Sequence, residues 1–210
     1  FTQSVFLITD RKNRIYNRRN VVKWRKRKSA ENGETADLEK EETNMYFGVQ
    51  MYGVSKEWKQ DPEGFLKKIY EAGYRQIEPC LGFRVDARDY GFWIPEDLEQ
   101  AMPLLAKYHI EVHAVHIFLD EYHYERELAI LTELAQKYHI SWFVVKSPAR
   151  LTKDVLDETA ARYRELAEEL EKAGAGLLIH NEKEDICIRV NGKTAYEYLL
   201  EACGEKVGAE

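Results

Sequence analysis

Several apolar runs along the chain turn polar at the same end. The polar residues at these ends are Glu78, His116, Lys146, and the trio His180, Asn181 and Glu182. Carboxylate and imidazole groups can transfer protons or bind a metal, and an ammonium group can neutralise a developing negative charge. Ligands bind beyond the carboxyl ends of parallel strands, so residues of these types in register predict a binding or catalytic site.

Each of these residues also has a structural explanation, which the sequence leaves open. His116 has apolar neighbours in AVHIF and could be a core histidine with satisfied hydrogen bonds. Lys146 could neutralise a substrate phosphate or an enolate, or could pair with Glu78 or Glu182. Phe92 and Trp93 could form an apolar wall over a sugar, or could simply pack within their loop. The common register of the strand ends favours a site more than any single residue does.

The predicted strands that carry these residues belong to a βα repeat. They begin near residues 46, 76, 111, 142, 176 and 207, a spacing of about 30–35 residues that indicates a repeated unit. Amphipathic helices are predicted between them. Pro62 is placed to open the first helix and Gly73 to end it. Strands that alternate with helices form a parallel sheet with right-handed crossovers, so residues 45–210 are predicted to be an α/β domain.

Two α/β architectures fit this repeat. An open doubly wound sheet would suit the length, but no G-x-G-x-x-G loop follows the first strand, where Gly48 and Gly53 are spaced differently. A complete (β/α)₈ barrel needs roughly 250 residues, so residues 45–210 would supply about five βα units and the start of strand six. We therefore predict an incomplete (β/α)₈ TIM barrel, the N-terminal portion of a longer protein.

Residues 1–44 differ from the rest of the chain in composition. Residues 11–28 form a basic run, residues 31–44 are acidic and polar, and neither segment keeps a helical or strand period. This composition predicts a disordered extension. The basic run could serve as an arm for nucleic acid or a membrane surface. The first residue, Phe1, and the clean strand that opens near Met45 favour the alternative, an extension that is not native to the domain.

Charge and composition argue against several classes of protein. Residues 1–44 hold 11 basic and 7 acidic residues, whereas residues 45–210 hold 20 and 30. An acidic domain repels phosphate backbones, so we expect no nucleic-acid partner. No apolar run is long enough to span a membrane, and the three cysteines form no C-x-x-C pair. We expect a cytoplasmic protein with a small-molecule substrate and with self-association through open sheet edges.

The segment LLIHNEKEDICIRVNGKTAYEYLLEACGEKVGAE, residues 177–210, resembles the fifth βα unit of the xylose isomerase-like sugar phosphate isomerases and epimerases. Members of that family carry His-Asn-His or Glu-Asn-His at the end of strand five. A short polar excursion and a DGKTA-like helix start follow, here NGKTA at residues 191–195. FGVQMYGV and GYRQIEP also resemble the first two strands of the family. The resemblance covers residues 45–210 and is strongest at strand five.

The resemblance implies one divalent metal, which could be Mn, Mg, Co or Zn. The family holds it with a Glu or His on strand five and with an Asp, a His and a Glu on the next three strands. His180 matches the first ligand by position. Glu182 stands where the family has its second His, which leaves the role of Glu182 in metal binding open. The remaining ligands are expected beyond Glu210, so this chain should hold a metal only weakly.

The resemblance also implies a sugar or sugar-phosphate isomerase or epimerase. Glu78 and His116 match positions that face the substrate in such barrels, and Lys146 completes the predicted catalytic set. In this family the metal polarises a carbonyl and the adjacent hydroxyl while paired carboxylates move a proton through an enediolate. This chain alone is expected to be an inactive portion of the enzyme. The alternatives are an endonuclease IV-like metal-dependent nuclease, which the acidic charge disfavours, and a non-catalytic barrel-derived binding domain.

Overall fold

The computed structural model describes residues 5–9, 45–119 and 123–210. The described strands, in chain order, are β1 Val5–Thr9, β2 Met45–Gln50, β3 Gln76–Glu78, β4 Cys80–Gly82, β5 Glu111–Val112, β6 Ala114–Phe118, β7 Trp142–Lys146, β8 Gly176–His180, β9 Arg189–Val190, β10 Lys193–Thr194 and β11 Val207–Ala209. The described helices are α1 Ser55–Gln60, α2 Pro62–Glu71, α3 Pro95–Lys107, α4 Tyr124–Tyr138, α5 Lys153–Lys172, α6 Lys183–Cys187 and α7 Ala195–Cys203.

The strands of successive βα units lie side by side in chain order. β2 pairs in parallel with β3, and β3 with β5. The five-stranded sheet has the order β11-β8-β7-β6-β4, and every pairing in it is parallel. Addition of each strand beside the previous one is the arrangement of a TIM barrel. In the described part of the chain β11 pairs only with β8, so the sheet stays open, and the predicted incomplete barrel is confirmed.

The second and third predicted strands are each divided in two. Pro79 separates β3 from β4, and its carbonyl accepts a hydrogen bond from the amide of His116 at 2.9 Å. His113 separates β5 from β6, and its carbonyl accepts from the amides of Ser141 and Trp142 at 3.0 and 3.2 Å. Proline has no amide hydrogen to give to the ladder, which explains the first break. The second predicted strand nevertheless continues past its predicted end at Pro79, since β4 extends to Gly82.

Two helices, α2 and α7, begin at residues whose side chains cap them, whereas Thr152, at the start of α5, makes no such hydrogen bond. Asp61 accepts a hydrogen bond from the amide of Gly64 at 2.9 Å, and Pro62 occupies the first turn of α2, as predicted. At the start of α7, the Thr194 hydroxyl accepts from the amide of Glu197, and the Glu197 carboxylate accepts from the amide of Thr194, both at 3.0 Å. The sequence did not predict α1, α6 or the β9–β10 hairpin, because each is too short to show an apolar period.

Apolar side chains from the helices cover the sheet and fix the positions of the strand ends. Completely buried examples are Leu66 of α2, Leu98 of α3, Leu131 of α4, Leu156 and Leu166 of α5, and Leu199 of α7. Burial of each such leucine contributes about 1.5–3 kcal/mol relative to an exposed one. Among the described helices none is both long and apolar enough to span a bilayer. The packed sheet is therefore a rigid support for the residues at its carboxyl edge.

The N-terminal extension is described only at β1. These residues pair antiparallel with β2, from Val5 opposite Val49 to Thr9 opposite Met45. The prediction of disorder for the rest of the extension concerns residues 1–4 and 10–44, which lie outside the described residues. The boundary between extension and domain at Met45 stays a prediction.

Candidate functional site

The side chains of Glu78, His116, His180 and Glu210 come together near the carboxyl ends of four strands, where His116 lies two residues before the end of β6. Oε1 of Glu78 lies 3.6 Å from Nδ1 of His116. Nδ1 of His180 lies 3.2 Å from Oε2 of Glu210. One potential ligand atom from each of His116, His180 and Glu210 lies within 4.8 Å of the others. Three of these four residues were predicted from the sequence, and the parallel register is what makes them meet.

Glu78 is a buried carboxyl group beside the imidazole of His116 and the carboxyl group of Glu210. The residue is 1% exposed, and neither oxygen has a hydrogen-bond partner among the described residues. Burial raises the pKa of Glu78 well above its ordinary value, and the negative charge of Glu210 raises it further. A carboxyl group in this state holds its proton more firmly than an exposed one and can exchange it with a neighbouring group.

His116 is buried as well, with 4% of its surface exposed. Burial lowers the pKa of His116 to about 4, so the imidazole is neutral at physiological pH. Its Nε2 has no hydrogen-bond partner among the described residues. The ring lies edge-on to His180, with 5.0 Å between centroids. His116 is therefore not the core histidine with satisfied hydrogen bonds that the sequence left open.

Glu210 is the site residue that the sequence analysis missed. Residues 207–210 were predicted only to begin the sixth strand, but β11 ends at Ala209, which leaves Glu210 at its carboxyl end. Two side chains hold its backbone carbonyl, which accepts from Asn181 Nδ2 at 2.7 Å and from the Tyr196 hydroxyl at 3.2 Å. The signal was present in the sequence, since Glu210 follows an apolar run just as Glu78 and His180 do.

Lys146 and Glu182 form an ion pair beside this cluster. Nζ of Lys146 lies 2.6 Å from Oε1 of Glu182, and both side chains are partly exposed. Hydrogen bonding to Lys146 lowers the pKa of Glu182. Of the pairings left open for Lys146, the structure therefore forms the one with Glu182 and not one with Glu78. The predicted roles of Lys146 in catalysis and of Glu182 in metal binding stay predictions.

Aromatic rings line one side of the site. Phe118 stacks on His116, with 5.5 Å between centroids, and Phe92 stacks on Phe118 at 4.3 Å. Tyr52 lies 5.7 Å from Phe92 and is largely exposed. Trp93 points the other way, because neighbouring residues of an extended segment alternate in direction, and it is buried. Phe92 is thus in the position expected for an apolar wall, whereas Trp93 belongs to the core.

Solved structures with this fold include proteins of known or probable activity. A sugar phosphate isomerase/epimerase from Parabacteroides distasonis superposes with a TM-score of 0.62 at 20% identity, over 78% of this chain and 63% of its own. A probable 3-DHS dehydratase, AsbF from Bacillus anthracis, gives 0.55 at 13% identity, over 79% and 62%. A xylose isomerase-like TIM barrel protein from Mycobacterium smegmatis, solved with magnesium, gives 0.52 at 16%, over 77% and 62%.

These likenesses establish the fold. The chain has the fold of the xylose isomerase-like TIM barrel proteins over about three quarters of its length, as the sequence resemblance predicted. It spans about three fifths of the length of the structures it matches. No protein-family model matches the sequence. No curated protein matches it in sequence either.

Proposed function

We propose that this site belongs to an isomerase or epimerase that moves a proton on the carbon beside a sugar carbonyl. The observation that carries the proposal is Glu78, a buried carboxyl group at the ligand-binding end of the sheet, with no partner for either oxygen. Such a group is suited to take a proton from a weakly acidic carbon and to return it. The sugar phosphate isomerase/epimerase with the same fold supports this class of reaction.

We further propose that the site uses a divalent metal. A magnesium complex is known for a protein with this fold, and the side chains present here fit a metal. His180 and Glu210 offer ligand atoms that converge with His116, and Nε2 of His116 is buried without a partner. His180 and Glu210 would hold the ion. When bound, it would polarise the carbonyl and the adjacent hydroxyl of the sugar, which makes the intervening C–H bond more acidic.

Residues of the chain would carry out the proton transfer, stabilise the charge that develops and cover the substrate. Glu78, as its carboxylate, takes the proton from carbon and leaves an enediolate. Return of the proton to the neighbouring carbon gives an isomer, whereas protonation of the same carbon on its opposite face, by a second acid, gives an epimer. The ammonium group of Lys146 stabilises the negative charge of the enediolate. Phe92 and Phe118 cover the apolar side of the sugar and exclude water from it.

Exchange of hydrogen for deuterium tests this proposal on the chain itself. The metal-loaded protein is incubated in D₂O with a panel of neutral and phosphorylated ketoses, and loss of the C–H signal beside the carbonyl is followed by NMR. Exchange needs only removal of the proton and delivery of a deuteron to the same carbon, so it is more direct than net conversion. We expect exchange that requires metal and that Glu78→Gln reduces by about 100-fold or more.

Glu133→Gln is the matched control, because Glu133 is an exposed glutamate on α4. It should exchange like the unmodified chain. Absence of exchange with every sugar, or equal exchange by the Glu78→Gln variant, would contradict the proposal. The nuclease alternative needs several metal ions, whereas the described residues form one cluster of three donors. Cleavage of an abasic DNA duplex by the same metal-loaded sample would favour that alternative.

A further inference from the structure

The cluster at the strand ends has the dimensions of a metal site with three protein ligands. Around a tetrahedral divalent ion, ligand atoms at 2.0–2.2 Å are separated by about 3.3 Å. The distance from Nδ1 of His180 to Oε2 of Glu210, 3.2 Å, already matches this separation. A ligand atom of His116 lies within 4.8 Å of both. A small rotation of side chains would therefore place all three groups around one ion.

His116 is the member of the cluster that points most strongly to a ligand. It is almost completely buried, and its Nε2 has no partner among the described residues. A buried polar atom in a native structure usually has a hydrogen-bond partner, because an unpaired one costs about 1–3 kcal/mol. An ion at the centre of the cluster would satisfy this atom, since a neutral imidazole nitrogen is a good metal ligand.

Glu78 is placed to orient His116 for this role. Its Oε1 lies 3.6 Å from Nδ1 of His116. A closer approach by a few tenths of an ångström would let Nδ1–H donate to the carboxylate, which leaves Nε2 as the acceptor that faces a metal. A carboxylate beside a ligating histidine is the usual outer partner in metal sites. The second oxygen, Oε2, has no partner in the described structure and stays available to a substrate.

We propose that His116 is a third protein ligand, so that His116, His180 and Glu210 form a two-histidine, one-carboxylate site that prefers Zn²⁺ or Co²⁺ to Mg²⁺. Two imidazole nitrogens suit borderline transition metals, whereas Mg²⁺ takes oxygen ligands and keeps several waters. The inference rests on the proposed function for the presence of a metal at this site. The sequence predicted one protein ligand in this chain and weak metal binding. The proposal instead gives three protein ligands and a site that selects its ion.

Cobalt supplies a direct readout of this site. The tag-free full chain is stripped with a chelator and titrated with Co²⁺, and binding is followed by the visible absorption of the ion, which is intense only at low coordination number. Competition with Zn²⁺ and with Mg²⁺ gives their relative affinities. We expect one Co²⁺ per chain, displacement by equimolar Zn²⁺, and no displacement by a 100-fold excess of Mg²⁺. Ready displacement by Mg²⁺, or absence of Co²⁺ binding, overturns the proposal.

Two substitutions to asparagine separate ligation from general effects on the fold. Loss of an outer partner of a metal ligand weakens metal binding by about 10–100-fold. His116→Asn should weaken Co²⁺ binding by more than this. His139→Asn is the matched control, because His139 is exposed and has a positive φ of 56°, which asparagine also adopts readily. It should bind Co²⁺ like the unmodified chain. An unchanged affinity and spectrum for His116→Asn would show that His116 is not a ligand.

X-ray absorption of the Zn²⁺-loaded unmodified chain keeps the proposal testable if His116→Asn fails to fold. Imidazole rings give a characteristic outer-shell scattering, from which the number of histidine ligands follows. Two imidazoles support the proposal and one overturns it. Neither measurement depends on sugar chemistry. A chain that binds Zn²⁺ through two histidines but exchanges no sugar proton would contradict the proposed function and leave the metal site intact.

Discussion

Oε1 of Glu78 lies 3.6 Å from Nδ1 of His116, and both side chains are almost completely buried. The carboxyl group gains no hydrogen bond from this position in the described structure. Burial of such a group without compensation destabilises the folded state. Natural proteins retain destabilising arrangements of this kind chiefly at functional sites, where activity offsets the loss of stability. The proposed role of Glu78 therefore has a consequence for the stability of the fold, which can be measured.

The first prediction concerns the pH dependence of stability in the metal-free chain. The pKa of Glu78 is raised in the folded state, so its favourable contribution is present at low pH and is lost as the pH rises above the ordinary value of 4.5. Glu78→Gln removes this loss. At pH 8 we expect the variant to be more stable than the unmodified chain by about 1 kcal/mol or more, or about 2–4 °C in Tm.

Thermal melts between pH 4.5 and 8, with a chelator present, measure this effect. The difference between Glu78→Gln and the unmodified chain should widen as the pH rises. The control is again Glu133→Gln, whose melting temperature should follow that of the unmodified chain at every pH. Parallel curves for Glu78→Gln and the unmodified chain would mean that the pKa of Glu78 is the same in the folded and the unfolded chain, which contradicts the prediction.

The second prediction concerns the reactivity of the three cysteines. Burial raises the pKa of the Cys80 thiol to about 12 and that of Cys203 to about 11. At pH 8 each should be a thiolate in about one molecule per thousand or fewer. Cys187 is exposed. DTNB should therefore titrate one thiol in the native chain and three after denaturation. Cys187→Ser should abolish the native reaction, and rapid reaction of two or three native thiols would show that the described core opens readily.

The third prediction separates the chemical role of Lys146 from its ion pair. Lys146 and Lys137 each pair with a glutamate at 2.6 Å, Lys146 with Glu182 and Lys137 with Glu99, and all four side chains are similarly exposed. Exposed pairs of this kind contribute at most about 1 kcal/mol. Lys146→Met and Lys137→Met should therefore lower stability equally little. Only Lys146→Met should slow sugar C–H exchange, by about tenfold or more, because only Lys146 adjoins the cluster.

Chemical denaturation and the D₂O exchange assay on both variants check this prediction. Equal exchange by the two variants would show that Lys146 has no role in the proton transfer. A large loss of stability in Lys146→Met alone would show instead that its contact with Glu182 supports the turn after β8.

The sequence was a good guide to which residues meet and a poor guide to how they pair. Glu78, His116 and His180 were identified because they lie at or near the ends of apolar strands, and parallel strands in register bring these ends to one edge. Glu210 also follows an apolar run, but it was missed because a run of only three residues is a weak signal until its pairing with β8 shows where the strand ends. The partner of Lys146 depends on side-chain distances that only the folded chain provides.

Two smaller differences between prediction and structure also depend on contacts that only the folded chain provides. Pro79 indicated where the second strand should end, yet the ladder continues on its far side, because β4 pairs with β6. Trp93 and Phe92 are adjacent and equally apolar, so composition did not distinguish the wall of the site from the core. The structure distinguishes them, because successive residues of an extended segment point in opposite directions, and here Phe92 faces the site and Trp93 faces the core.

The last prediction concerns the open edge of the sheet. In the described part of the chain β11 pairs with β8 on one side only. The amide of Glu210 donates to the carbonyl of Ile179 at 3.0 Å. Since successive residues of a strand direct their amides to opposite neighbours, the amide of Ala209 faces the open side. An unpaired strand edge favours association with another chain. We therefore expect the chain to self-associate as its concentration rises.

Ala209→Pro tests this edge, because proline removes the outward amide and is tolerated in edge strands. Ala209→Gly is the matched control, since it changes the side chain and keeps the amide. Light scattering coupled to size-exclusion chromatography should show a concentration-dependent increase in mass for the unmodified chain and for Ala209→Gly. Ala209→Pro should shift the mass towards that of the monomer. A monomeric unmodified chain at every concentration, or association of the proline variant to the same extent, would contradict pairing through β11.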